Sequence, residues 1–135
     1  MIGMNTFHLV IVTLDGVSFD GECEKLVVRT IDGDVCIMAN HISYVTALGM
    51  GEAQVFTGSG VRKAACIGGL LSVSDNEVRL APTTFEWAED IDRERALKAK
   101  ERAEALLAQK KSVQEEKIAI AKLHRALVRS SVAKK

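Results

Sequence analysis

The stretch Leu70-Leu71-Ser72-Val73-Ser74-Asp75-Asn76-Glu77-Val78-Arg79-Leu80 decides how the chain folds. Its period of two puts Leu71 and Val73 on the same face as Val78 and Leu80, and Asp75-Asn76 between them reads as a tight hairpin turn. Working outward, similar short β-type runs precede it: Phe7 to Thr13, Glu24 to Ile31, Val35 to Met38, Gln54 to Thr57 and Val61 to Ile67. Short strands punctuated by turn residues at regular spacing predict a β-sandwich or barrel of antiparallel strands.

The texture changes beyond Trp87. All ten glycines lie at or before Gly69, all six aromatic residues at or before Trp87, and the one proline is Pro82. The remainder of the chain is rich in Ala, Leu, Lys, Glu and Arg, the strong helix formers. One helix is expected from about Glu89 to Ile91 as far as Gln109, with Asp90, Asp92 and Glu94 at its positive end and Lys110 and Lys111 at its negative end. Ser112-Val113-Gln114-Glu115 reads as a capping box opening a second helix, Val113 to Val132. Ala96, Ala99 and Ala103 on the first helix and Ala119, Leu123 and Ala126 on the second form small-residue stripes suited to close antiparallel packing. Alanine buries little apolar area, so the hairpin is expected to be marginal and able to undock or extend. The expected organisation is a β-sandwich over 1–84 and an α-helical hairpin over 85–135.

Composition narrows the function. At 135 residues and 47% hydrophobic, the chain can build a real core. No apolar run reaches the roughly 18 residues of a membrane span, so a soluble, cytosolic chain is expected. Cys23, Cys36 and Cys66 have neither disulfide-framework nor zinc-knuckle spacing and read as small buried or half-buried fillers. The formal net charge of zero hides an asymmetry: residues 1–84 hold 5 basic and 9 acidic side chains, residues 85–135 hold 13 and 9. Such a basic tail suits a phosphorylated ligand, an acidic protein groove, a membrane surface or nucleic acid.

Leu9-Val10-Ile11-Val12-Thr13, Asp32-Gly33-Asp34-Val35-Cys36-Ile37-Met38, Ile67-Gly68-Gly69-Leu70 and Ile91-Asp92-Arg93-Glu94-Arg95-Ala96, in this order and spacing, resemble segments of the epsilon subunit of bacterial F-type ATP synthases. Leu9-Val10-Ile11-Val12-Thr13 followed by Phe19-Asp20-Gly21-Glu22 is similar to that family's opening "IVTP" strand and "F-x-G-E" turn. Asp32-Gly33-Asp34-Val35-Cys36-Ile37-Met38-Ala39-Asn40-His41, then Thr46-Ala47-Leu48, resembles its "G-E-x-G-I-L-P-x-H" loop and "T-A-L" strand. Ile67-Gly68-Gly69-Leu70-Leu71-Ser72-Val73 resembles "GG-x-L-x-V", and Ile91-Asp92-Arg93-Glu94-Arg95-Ala96 resembles "I-D-x-x-R-A" at the start of the helical tail. The family's usual glycine is Cys36 here, and its prolines are Leu14, Ala39 and Ser43.

The resemblance implies a non-catalytic subunit of a proton-translocating enzyme complex, peripheral to the cytoplasmic side of the bacterial cell membrane. Its expected partners are the gamma subunit of the central stalk and the membrane rotor ring, with no nucleic acid. It also implies that Asp32, Asp34 and His41 lie on the loop that touches the ring. Some members bind ATP through the "I-D-x-x-R-A" motif and second-helix arginines, which maps here to Ile91, Asp92, Arg95, Ala96, Arg102, Arg125 and Arg129. The residues agree with that mapping. Arg125 and Arg129, four apart, share a helix face where like charges repel, and an anion between them would relieve the repulsion. Arg95 and Arg102 are seven apart, so a folded hairpin is expected to gather four guanidiniums around a phosphate chain. Glu86 and Asp92 are candidate acceptors for an adenine amino group or ribose hydroxyls. The alternative is a solvated charged face with Asp92 paired to Arg95.

No cofactor is required on this reading, and ATP is a regulatory ligand; a Walker-type glycine loop is absent, so hydrolysis is not expected. With its tail extended, the basic second helix (Lys117, Lys122, Arg125, Arg129) is expected to enter the catalytic head and block hydrolysis. A free-standing sandwich-and-hairpin adaptor is the alternative from another class, its RNA-binding form disfavoured by the lack of tail aromatics. Cys36 with His41 as a thiol nucleophile and base lacks an orienting acid and an oxyanion hole, and His8 and His124 lack metal-ligand spacing.

Overall fold

The computed structural model describes residues 5–109 and 112–133. Ten strands form two five-stranded sheets. They are β1 (Phe7–Thr13), β2 (Gly16–Cys23), β3 (Lys25–Thr30), β4 (Gly33–Met38), β5 (Tyr44–Ala47), β6 (Met50–Thr57), β7 (Gly60–Ile67), β8 (Leu70–Ser74), β9 (Glu77–Ala81) and β10 (Thr84–Trp87). One sheet runs β2-β1-β9-β8-β5 and the other β10-β7-β6-β3-β4, antiparallel throughout except for the parallel pair β1–β9. The two inner faces supply alternate residues to one core. Phe7, Leu9 and Ile11 of β1, Leu26 and Val28 of β3, Val55 of β6 and Leu71 and Leu80 of the β8–β9 hairpin are all essentially inaccessible to water. The fold is the expected β-sandwich.

The deciding hairpin has the expected register, Leu71 opposite Leu80 and Val73 opposite Val78. Asp75 and Asn76 sit at φ 50° and 62°, the left-handed pair that matches the twist of the flanking strands. Where the chain leaves β7 in one sheet for β8 in the other, Gly68 and Gly69 turn the corner at φ 68° and 97°. A β-carbon on Gly69 would lie inside the carbonyl oxygen of Ala81, so the position needs glycine for space as well as for conformation.

Three strands depart from the sequence expectation. β2, where a turn is predicted, is an edge strand, mostly exposed or half-buried, interrupted by Gly21 and bent by a bulge opposite Ile11/Val12, so its alternation is weak. β5 is a second short edge strand, signalled in the sequence by its "T-A-L" likeness alone. β10 pairs Phe85 with Cys66 and Trp87 with Ala64, and the chain's two compact units consequently divide between Trp87 and Ala88 rather than after Thr84. Of the cysteines, Cys23 and Cys66 are buried fillers. Cys36 is instead exposed on the outward side of β4. Burial pushes the Cys66 thiol up to about 12 and raises that of Cys23, whose Sγ donates to the carbonyl oxygens of Lys25 and Phe56 at 3.1 and 3.4 Å.

The second unit opens with one 3-10 turn, Ala88–Asp90, and then holds α1 (Arg93–Ala108) and α2 (Val113–Val132). The first helix begins later than expected because Asp92 is extended (φ −78°, ψ 101°) and serves as its N-cap, accepting from the Arg95 amide at 3.1 Å. Ser112 caps α2 in the same way, its Oγ accepting from the Glu115 amide at 3.1 Å. Lys110 and Lys111, expected at the negative end of α1, lie outside the described residues. Ala103 and Ala126 flank one groove and Leu106 and Ala119 another, so α2 runs back antiparallel to α1. Ala96 and Val132 are also buried, while Ala99 and Leu123 are half-buried.

Candidate functional site

The arginines expected around an anion fall along the helical pair. Arg102 from α1 and Arg125 and Arg129 from α2 line a single groove of about 520 Å³, floored by Ala99, Ala103 and Ala126 and completed by Lys122. Small floor residues let the helices approach closely while the long basic side chains stand up along the rim. The volume lies within the roughly 300–1,000 Å³ of small-molecule sites. Sequence reasoning placed Lys122 only on the inhibitory helix; its spacing of three and seven from Arg125 and Arg129 is the signal that puts it on the same face.

Arg95 belongs to an adjoining cleft of about 330 Å³ with Asp92, Glu94, Lys98 and Arg102. The four guanidiniums are thus divided, three in the groove and Arg95 in the cleft, with Arg102 common to both. Asp92 pairs with the backbone amide of Arg95 through one carboxylate oxygen, which makes it a helix cap as well as a candidate acceptor. Ile91 is buried and Ala96 is wholly so; both pack at the start of α1, where Ala96 donates its amide to the Asp92 carbonyl at 2.9 Å. Glu86 stands on β10 opposite Ala65, in the other compact unit.

The residues expected on one ring-facing loop are separated by a strand. Asp32 sits in the β3–β4 turn, its amide donating to Thr30 Oγ1 at 3.1 Å. Asp34 is inside β4, where Arg29 across the hairpin donates through Nε at 2.6 Å and Nη2 at 3.3 Å. That guanidinium holds the Asp34 carboxyl below its ordinary value, and the carboxylate raises Arg29 in turn. His41 lies beyond the far end of β4, whose stretch from Asp34 to Met38 alone spans on the order of 13 Å at about 3.3 Å per residue; its Nδ1 is 2.8 Å from the Ile42 carbonyl and its ring 5.8 Å from that of Tyr44. The stretch resembling a loop folds as strand because Val35 and Ile37 alternate with outward Asp34, Cys36 and Met38. Sequence reasoning missed the exposed apolar residues beside these groups: Ile31 at 67%, Met38 at 57% and Ile42 at 77%. Ile31 and Ile42 adjoin turn residues, where an apolar side chain has no core to enter, and that was their legible signal. Among the described residues, no group of three or more His, Cys, Asp or Glu side chains is arranged to hold a metal ion.

Residues 6–88 match the model of the ATP synthase delta/epsilon chain β-sandwich domain, and residues 89–134 that of the same chain's long α-helix domain. Among curated relatives, the ATP synthase epsilon chain of Caldicellulosiruptor bescii is 42% identical over 96% of this chain and 95% of its own. That of Shouchella clausii is 37% identical over 97% of each. In fold, the chain is similar to one in the mitochondrial ATP synthase structure of Euglena gracilis containing OSCP, F1 and c-ring, with a TM-score of 0.83 and 22% identity over 94% of this chain and 81% of that one. With both domains of the family present in order, and relatives alike over nearly their whole length, the chain belongs to the ATP synthase delta/epsilon chain family.

Proposed function

We propose that the protein's sandwich seats it on the rotor while its helical hairpin is a regulatory element governed by ATP. As an epsilon chain of an ATP synthase it is a non-catalytic component of that complex's central stalk. That membership displaces the free-standing adaptor reading. The finer assignments are that the sandwich binds the gamma subunit and the membrane ring, and that the protein lies peripherally on the cytoplasmic side of the bacterial cell membrane. Among the described residues, no helix is long and apolar enough to cross a bilayer. Asp32, Asp34 and His41, with Ile31 and Ile42 beside them, are the groups assigned to the ring.

The observation that carries the regulatory reading is the groove lined by Arg102, Lys122, Arg125 and Arg129. Guanidiniums grip phosphate oxygens through paired N–H donors, so a polyphosphate bridging the two helices stabilises the compact hairpin by mass action. Arg95 and Asp92 in the adjoining cleft, with Ile91 and Ala96 at the start of α1, are the remaining ATP contacts of the helical unit, and Glu86 is a candidate acceptor carried by the sandwich. When ATP is scarce the hairpin opens, and α2 enters the catalytic head to stop hydrolysis. Calorimetric titration with ATP, with and without magnesium, tests this on the isolated protein and an Arg95→Ala/Arg125→Ala variant. Binding that the variant loses is expected; a wild type that binds no ATP overturns the regulatory ligand and leaves the family assignment standing.

A further inference from the structure

The outward face of the first sheet carries a histidine in an unusual setting. His8 on β1 has Nε2 2.6 Å from Asp20 Oδ1 on β2 and Nδ1 3.0 Å from Glu77 Oε1 on β9. A neutral imidazole owns a single N–H, so with both carboxylates ionised one contact would set lone pair against lone pair. Only the imidazolium donates at both nitrogens. The same surroundings supply further negative charge. Glu22 stands opposite His8 in the β1–β2 register, its Oε1 accepting from Thr6 Oγ1 at 2.8 Å, and Asp75 lies in the turn leading to β9. The nearest cation of these strands, Arg79, pairs with Val10 two positions along.

We propose that His8, as an imidazolium bonded to Asp20 and Glu77 at once, is a pH-operated clasp tying edge strand β2 and strand β9 to β1. The strands it joins make it consequential. β2 has a neighbour on one side only, and its ladder to β1 is already broken by the bulge at Ile11/Val12, so a side-chain bond at Asp20 supports a weak edge. The parallel β1–β9 register spans just four residue pairs, beginning at His8–Glu77. Loss of the proton leaves one N–H for two carboxylates and releases one arm of the clasp.

The direction of the shift sets the sign: the two side-chain hydrogen bonds raise His8 above its ordinary 6.5. The clasp therefore contributes fully below pH 6.5, as long as Asp20 and Glu77 stay ionised, and is lost as pH rises through the folded value. NMR titration of the imidazole resonances of the intact protein, with His8 assigned through His8→Gln, tests it. Expected are a His8 midpoint above 6.5, a partial return in Asp20→Asn or Glu77→Gln, a full return in the double variant, and β2 amide protection that falls across the His8 midpoint in wild type alone. A wild-type midpoint at or below 6.5, a midpoint the double variant leaves unmoved, or β2 protection indifferent to that titration overturns the proposal.

Discussion

Single residues fix this sandwich where the chain changes direction. Gly69 holds φ 97° with the Ala81 carbonyl occupying the space of a β-carbon, so Gly69→Ala carries both left-handed strain and overlap with backbone that cannot rotate away. Costs of about 1–3 kcal/mol for each predict a combined loss of about 2–6 kcal/mol, which thermal unfolding would register as a melting temperature lower by on the order of 15 °C. Gly58 has open space around its β-carbon position and no left-handed φ; Gly58→Ala should leave the melting temperature unchanged or slightly higher. Equal losses in the two variants would show that neither space nor φ governs the corner. By composition and spacing alone the two glycines are not told apart, Gly69 being marked only by its "GG-x-L-x-V" likeness, and the burial of the three cysteines is not told apart either. The difference between a turn open to water and a sheet-to-sheet corner, or between buried Cys66 and exposed Cys36, is created by residues distant in the chain.

The elements were legible in proportion to how strongly each enforces a period or carries its own cap. The β8–β9 hairpin and α2 were readable residue by residue, because alternation with Asp75-Asn76 and capping by Ser112 are local signals. β2 and β10 were not, since edge strands bury one side incompletely and Thr84–Trp87 is too short to alternate. For the candidate site, spacing predicts shared faces for Arg125 with Arg129 and for Arg95 with Arg102; the first pair lines the groove and the second the cleft, a division that depends on helix packing. Asp92 is where element and site meet. As N-cap of α1 it is worth about 1 kcal/mol, and asparagine caps nearly as well as aspartate whereas alanine does not. Asp92→Ala should therefore weaken α1, seen as earlier loss of helical circular dichroism on heating. Asp92→Asn should melt like wild type, so any fall in its ATP affinity isolates the carboxylate's part in binding. If Asp92→Asn melts as early as Asp92→Ala, charge at the helix end rather than capping holds α1.

At the scale of the whole molecule, the division between Trp87 and Ala88 moves Glu86 into the sandwich, giving it 5 basic against 10 acidic residues and the helical unit 13 against 8. It also decides where the chain can be cut. Trp87 packs edge-on to Phe85 at 4.9 Å, lies near Phe19 at 6.4 Å and has the Arg62 guanidinium 3.7 Å over its ring. A chain ending at Trp87 keeps that cluster and the β10–β7 ladder. One ending at Thr84 loses both, exposing β7 as a new edge beside an unfilled part of the core. Removal of a buried tryptophan costs roughly 3–5 kcal/mol, so the 1–84 chain should melt at least about 10 °C below the 1–87 chain by far-ultraviolet circular dichroism. Inhibition by a tail is therefore testable only with the longer cut: ATP synthase assembled with 1–87 should remain coupled while hydrolysing ATP faster than the complex with the full chain. Undiminished suppression of hydrolysis by the 1–87 chain would remove the helices from the inhibitory role, whereas the same outcome with 1–84 would be confounded by a sandwich missing its last strand.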